Sequence, residues 1–247
     1  IQRTPVLYQA GASSKGLAFA TQHAEAMFIG ADTPEKLKQQ VDKIRALALS
    51  HGRDEQAIKL FVGISVVTAE TDELAQEKLA EYIRYASPEA GLVHFSSSVG
   101  IDLAQFTDDE AIPYKQTNSI ASVNNKFKEQ KVTRADLKDQ HVLGGRYPLI
   151  VGSGKTVAKK LIQLLDETGV DGFNLTRTVA PESHQDFIRW VIPELQERSR
   201  YKTAYETGSL RHKLFAQGDR LAANHPVQQY RCQSSCSHPK TPQKQTA

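Results

Sequence analysis

Short apolar runs alternate with longer stretches of helical period along most of the chain. Thr4 to Gln9 reads as a short buried strand, Gly11 to Gly16 as a turn of small residues, and Leu17 to His23 as the first turns of a helix. Ala24 to Ile29 is a second apolar strand, after which Thr33-Pro34 opens a helix running to about Ser50. Thr33 can cap it, and Pro34 sits at the first helical position, where its missing N–H costs nothing. Leu37, Val41, Ile44, Leu47 and Ala48 fall on one face, with Lys36, Lys38, Asp42, Lys43 and Arg45 largely off it. His51-Gly52 ends the helix. In the strand expected over Ile58 to Val67, Leu60, Val62, Ile64 and Val66 point one way and Phe61 and Val67 the other. Burial on both faces is typical of parallel sheets covered by helices. The helix expected from Thr71 to Tyr85 carries Asp72 and Glu73 in its first turn, where they complement the dipole.

From Ser87 to about Tyr147 the alternation stops. Ser96-Ser97-Ser98, Pro113 and polar stretches interrupt it, so this region reads as an insertion with short helices near Asn118 to Gln130 and Arg134 to Gln140. An insertion of that size often lids a site. Alternation resumes with Leu149-Ile150-Val151, a helix from about Thr156 to Thr168, the strand Gly172 to Leu175 and a final helix from about His184 to Glu197, which Pro193 should bend. Strand-then-helix units argue a parallel α/β architecture with right-handed crossovers. Four strands are convincing, and a closed (β/α)8 barrel takes eight strands and about 250 residues, so the chain holds half a barrel's worth of units.

Composition narrows the class. The 247 residues are 39% hydrophobic and 24% charged, as in an ordinary globular protein. No run reaches the roughly 18 apolar residues of a membrane span, and Ile1-Gln2-Arg3-Thr4-Pro5 lacks the regions of a signal peptide. The absence of an initiator Met before so early a strand points to a fragment or an incomplete gene model. Residues 1–215 are expected to form one unit and 216–247 an extended or disordered basic tail. Pro226 to Ala247 holds no acidic residue, and Arg231, Lys240 and Lys244 supply its +3, which equals the formal net charge of the whole chain. The body is therefore balanced, and nothing argues for nucleic acid. Both cysteines, Cys232 and Cys236, lie in this tail, so the body is expected to have no disulfide and a reducing, cytoplasmic setting. With His238 they would still need a fourth ligand and a folded frame to make a structural zinc site, so no metal site is expected.

Two stretches carry candidate chemistry. In Ala10-Gly11-Ala12-Ser13-Ser14, backbone N–H groups, two serine hydroxyls and the positive end of a helix dipole make a place for an anion, most often a phosphate. Val151-Gly152-Ser153-Gly154-Lys155-Thr156 also follows an apolar run and opens a helix, as a nucleotide-binding P-loop does. The full signature requires a glycine five positions before Gly154, where Leu149 stands. A helix N-terminus favoured by Gly and Ser is the plainer reading. His23 is either a helix C-terminal residue on the dipole or a contact to a cofactor bound at the first turn. Asn174 is either a functional group at a strand end or a satisfied buried amide. Trp190 reads as core or interface, and Arg211 and Tyr205 as subunit contacts or packing onto the body.

The first turn also carries a resemblance. Thr4-Pro5-Val6-Leu7-Tyr8-Gln9-Ala10-Gly11-Ala12-Ser13-Ser14-Lys15-Gly16, then Phe19-Ala20 and His23-Ala24-Glu25-Ala26, resembles the segment PVxYQAGxSxxGxxFAxxHAE of flavin-dependent monooxygenases. The family is the nitrilotriacetate monooxygenase component A branch of the bacterial luciferase-like superfamily. Gly100-Ile101-Asp102-Leu103, Pro113-Tyr114, Thr117-Asn118-Ser119-Ile120, Gly144-Gly145-Arg146, Asp171-Gly172-Phe173-Asn174-Leu175 and Gly208-Ser209-Leu210-Arg211 extend it over roughly residues 4–215. The resemblance implies the C-terminal half of a (β/α)8 TIM barrel, with Ala10, Gly11, Ser13 and Ser14 at the FMN phosphate. It implies a two-component enzyme that oxygenates a small organic substrate with O2 and reduced FMN from an NAD(P)H-dependent flavin reductase, assembled as a homo-oligomer. In relatives the first half of the barrel supplies most isoalloxazine contacts, so the catalytic residues are unknown here and the fragment alone is expected to be inactive. The alternative is a catalytically inactive half-barrel that serves as an interaction or regulatory module.

Overall fold

The computed structural model describes residues 4–11, 13–30, 33–113, 127, 131–143 and 147–230. The expected helix near Asn118 to Gln130 lies outside them apart from Phe127, as do Pro113-Tyr114 in part, Gly144-Gly145-Arg146, and Cys232, Cys236 and His238. Each expected strand forms: β1 (Tyr8–Ala10), β2 (Ala26–Ile29), β3 (Lys59–Ala69), β4 (Leu149–Ser153) and β5 (Gly172–Thr176), all paired in parallel. Four of these runs are convincing as strands from the sequence, all five pair, and the register shows how the fifth is accommodated. Phe61 pairs with Phe28 and with Gly172, and Ser65 with Leu149 and with Thr176, so β5 occupies one edge of β3 while β2 and β4 lie end to end along the other. Thus β1, β2, β3 and β5 are neighbours in chain order, as in half a barrel, and β4 is an added strand on the far end of β3.

The helices follow local signals. α1 (Ser14–His23), α2 (Pro34–Ser50) and α3 (Asp72–Tyr85) are capped by Ser13, Thr33 and Thr71, whose hydroxyls accept N–H groups of the first turn. α1 and α2 bury Leu17, Ala20, Leu37, Val41 and Ile44 against Met27, Ile29, Leu60 and Val62 of the sheet. α6 (Gly154–Thr168) buries Val157, Ala158 and Leu161 against Ile64 and Val66. The last helical stretch runs through α7 (Glu182–Asp186), a π turn (Phe187–Val191) and α8 (Ile192–Glu197). Pro193 has no N–H for the Arg189 carbonyl, and the chain answers with the wider turn, in which Ile192 N–H bonds to the Phe187 carbonyl.

Within the expected insertion, α5 (Arg134–His141) forms as anticipated, but α4 (Pro88–Val99) replaces what reads as loop around Ser96-Ser97-Ser98. Leu92, Phe95 and Val99 recur at helical spacing and bury with Phe127 and Leu137 in a satellite core. The Ser97 and Ser98 hydroxyls are absorbed by the His94 carbonyl. Arg134 and Lys138 of α5 each pair with Glu89 and Asp108, tying the two ends of the region together.

After α9 (Leu210–Phe215) the chain keeps packing. The composition predicts that residues 216–230 begin an extended tail, yet Leu221 and His225 are buried and a short 3-10 helix spans Pro226–Tyr230. The reason is long-range: His225 Nε2 lies 3.0 Å from the His23 carbonyl, and Nδ1 accepts the Val227 N–H at 3.2 Å. Both bonds together require the neutral ring protonated on Nε2. Burial is the main cause of the lowered His225 pKa, with the Arg53 and His23 charges acting the same way and the His23 carbonyl and Glu25 opposing. The folded value therefore lies below the ordinary 6.5. The contribution is full above that value and declines as pH falls from it toward the folded pKa, because the unfolded chain binds the proton first. We expect the thermal midpoint to drop on acidification through this window, and to drop less in His225→Gln; parallel pH profiles for the two proteins would refute the assignment.

Candidate functional site

The turn expected to take an anion follows the C-terminal end of β1. Ala10 ends the strand, Gly11 takes φ 151°, and Ser13 caps α1 with its Oγ accepting the Gly16 N–H at 3.1 Å. Gly16 is closely approached, since a Cβ there would lie 3.1 Å from Ser13 Oγ and 3.3 Å from the Gly11 carbonyl oxygen. With the Ser13 hydroxyl committed to the cap, an incoming anion would meet the Ser14 hydroxyl and the N–H groups of Ser14 and Lys15, all on exposed residues. The first turn of α1 holds no acidic side chain, whereas α2 has Glu35 and α3 has Asp72 and Glu73 there. Ala10, Gly11, Ser13 and Ser14 are thus brought together, and the donor set fits a phosphate. Ala12 lies outside the described residues.

The second glycine-rich turn is already filled. Ser153 caps α6, and Asp72 of α3 accepts the Ser153 N–H at 2.6 Å and the Thr156 hydroxyl at 3.0 Å. The Ser153 N–H and then the Thr156 hydroxyl hold the Asp72 carboxyl below its ordinary pKa. A carboxylate from the same chain stands where a nucleotide phosphate would have to sit. Gly154 is glycine because a Cβ would lie 2.0 Å from the Trp190 carbonyl oxygen in the π turn.

On the sheet face away from α1, α2 and α6, Tyr8, Phe28 and Phe61 form a stripe across β1, β2 and β3, with ring centroids 5.5 and 6.3 Å apart. Tyr8 and Phe28 remain 41% and 39% exposed, so the stripe is open to solvent. Burial and the Glu25 charge push the Tyr8 phenol pKa up. Asn174 lies on this face opposite Gly63 and is exposed, which removes the buried-amide reading. His23 ends α1, and its carbonyl holds His225. Arg211 packs inward: Nε and Nη2 bind the two Glu25 carboxylate oxygens at 2.7 and 2.9 Å, while Nη1 and Nη2 reach the Asp219 and Pro5 carbonyls. Tyr205 is exposed. Among the described residues no cluster of three or more His, Cys, Asp or Glu could hold a metal ion, and no helix is long and apolar enough to cross a membrane.

A cleft of about 340 Å³, which the sequence does not announce, opens where the end of β5 meets α3 and the residues after α5. Buried Ser65, half-buried Thr176, Leu79, Ile83, Leu143 and the exposed Arg177 line it. Tyr147 adds a wall by lying over Gly63, where a Cβ would come within 2.3 Å of its ring. The only sequence signal is a cation placed directly after a strand end.

The luciferase-like monooxygenase family matches residues 1–172. The chain is 40% identical over 235 residues to dimethyl-sulfide monooxygenase of Hyphomicrobium sulfonivorans, covering 93% of this chain and 49% of that one. The crystal structure of that enzyme superposes with a TM-score of 0.81. Nitrilotriacetate monooxygenase component A of Aminobacter aminovorans is 30% identical over 220 residues, covering 86% of this chain and 49% of that one. The crystal structure of a riboflavin lyase with modified FMN and riboflavin matches with a TM-score of 0.86 at 35% identity, over 94% of this chain and 52% of that one. The chain thus spans about half the length of the curated relatives it matches. Its parallel α/β fold is that of these barrel-type structures, and the chain belongs to the luciferase-like monooxygenase family.

Proposed function

We propose that this chain is the FMN phosphate-binding half of a two-component monooxygenase that oxygenates a small organic substrate with O2. The observation that carries the reading is the turn from Ala10 to Ser14, where an acid-free helix N-terminus, the Ser14 hydroxyl and adjacent N–H groups converge at a strand end. The family supports it, as does the similarity to a lyase solved with modified FMN. Ala10 and Gly11 would let the backbone approach the phosphate, Ser13 would hold the helix end in place, and Ser14 would donate to a phosphate oxygen. Bound and reduced, the flavin would supply the electrons for oxygen activation. The reduced cofactor would come from an NAD(P)H-dependent flavin reductase, in the cytoplasm, with the oxygenase assembled as a homo-oligomer. The open Tyr8, Phe28 and Phe61 stripe favours a second reading, in which the chain alone is a catalytically inactive module that binds a partner through this face.

Titration with FMN and with riboflavin separates the two readings. A hydrogen bond to a charged group is worth about 1.5–3 kcal/mol, so Ser14→Ala is expected to weaken FMN ten-fold or more and leave riboflavin, which lacks the phosphate, unchanged. Ser13→Ala should weaken FMN less and also lower stability by about 1 kcal/mol through loss of the cap. Unchanged FMN affinity in both variants would sink the phosphate assignment, and failure of the parent chain to bind FMN would leave the module reading.

A further inference from the structure

The cleft at the end of β5 joins a cation to apolar walls. Arg177 is exposed and forms no ion pair among the described residues, in contrast to Arg211, Arg134 and Lys78, each of which is held by carboxylates. Thr176 and Thr178, on either side of it, line the same cleft, and Leu79, Ile83, Val142, Leu143 and Leu149 form the walls. A guanidinium in that state, flanked by hydroxyls, suits a carboxylate, which it can grip with two parallel hydrogen bonds. The volume of about 340 Å³ lies in the range of small-ligand pockets. Asp139 of α5 also lines the cleft, which disfavours a ligand with a second anionic group.

We propose that this cleft binds an apolar monocarboxylate, its head on Arg177 at the end of β5 and its tail along Leu79, Ile83 and Leu149. Arg177 is then a specificity-determining residue. That the bound molecule is the substrate to be oxygenated rests on the function proposed above; that it binds does not. The two sites draw on different strands, since β1, which leads into the Ala10 to Ser14 turn, and β5 are separated by β2 and β3.

Calorimetric titration of the full chain with octanoate and with 1-octanol tests this. Octanoate is expected to bind at least ten-fold more tightly than octanol. Arg177→Gln should erase that difference by weakening octanoate alone, and Asp139→Asn should leave octanoate binding in place or strengthen it. Arg177 is exposed, so the variant should unfold at the parent temperature. The proposal is overturned if the parent chain does not bind octanoate, if octanol binds equally well, or if Arg177→Gln binds octanoate like the parent. It is also overturned if Arg177→Gln weakens FMN but not riboflavin, which would assign the cation to the cofactor phosphate. Loss of FMN binding in Ser14→Ala with octanoate binding intact would separate the fate of the flavin site from that of the cleft.

Discussion

Arg211→Met should lower the unfolding free energy by about 3–5 kcal/mol, the usual cost of leaving one member of a buried ion pair without the other. The Arg211 side chain is 2% exposed and that of Glu25 7%, so water cannot take over the lost partner. The pair is also a junction. Glu25 Oε2 accepts the Leu7 N–H at 3.0 Å just before β1, and Arg211 reaches the carbonyls of Pro5 and Asp219, so one guanidinium holds both the approach to the first strand and the segment after α9. Urea unfolding would measure the loss, and Arg211→Met combined with Glu25→Gln should recover part of it, because the second change removes the stranded charge. A loss under about 1 kcal/mol for the single variant, the size of an exposed pair, would mean that the junction is dispensable.

Gly154→Ala should be nearly as costly. The added methyl would sit 2.0 Å from the Trp190 carbonyl oxygen and 2.5 Å from its carbon, so the start of α6 and the π turn must move apart. Overpacking costs about 1–3 kcal/mol even where side chains can yield, and here the obstacle is backbone. A loss of about 3 kcal/mol corresponds to a fall in Tm of roughly 6–12 °C for a chain of this size. Gly30→Ala is the control: nothing lies within 4 Å of the position its Cβ would take, and its midpoint should stay close to the parent value. Equal midpoints for the two variants would show that α6 and the π turn are not in such close contact.

These positions mark what the sequence can and cannot reveal. Thr33-Pro34 and Thr71-Asp72 announce helix starts because a cap involves residues a few positions apart, and the Ala10 to Ser14 turn is legible for the same reason. The filling of the α6 N-terminus by Asp72 is not, since Asp72 and Ser153 are 81 residues apart. The burial of His225 depends on a carbonyl 202 residues away, which composition cannot register when it marks a polar, basic stretch as tail. α4 escapes notice because three consecutive serines look like loop until the Ser97 and Ser98 hydroxyls find the His94 carbonyl and Ser96 Oγ accepts the Leu103 N–H. The cleft bearing Arg177 is lined from β3, α3, α5, β4 and β5 and exists only once they are packed.

The end-to-end arrangement of β2 and β4 on one edge of β3 has an evolutionary consequence. The eleven-residue β3 is a shared spine, with the β1–β2 end carrying the anion turn and the β4 end carrying the insertion and its cleft. Because the pairing of β2 stops at Val62 and that of β4 starts at Ser65, neither strand constrains the other's register. A shift in the pairing of β4 can therefore leave the pairing of β2 in place. A lineage built on this spine can change the β4 pairing while inheriting the β1–β2 pairing intact.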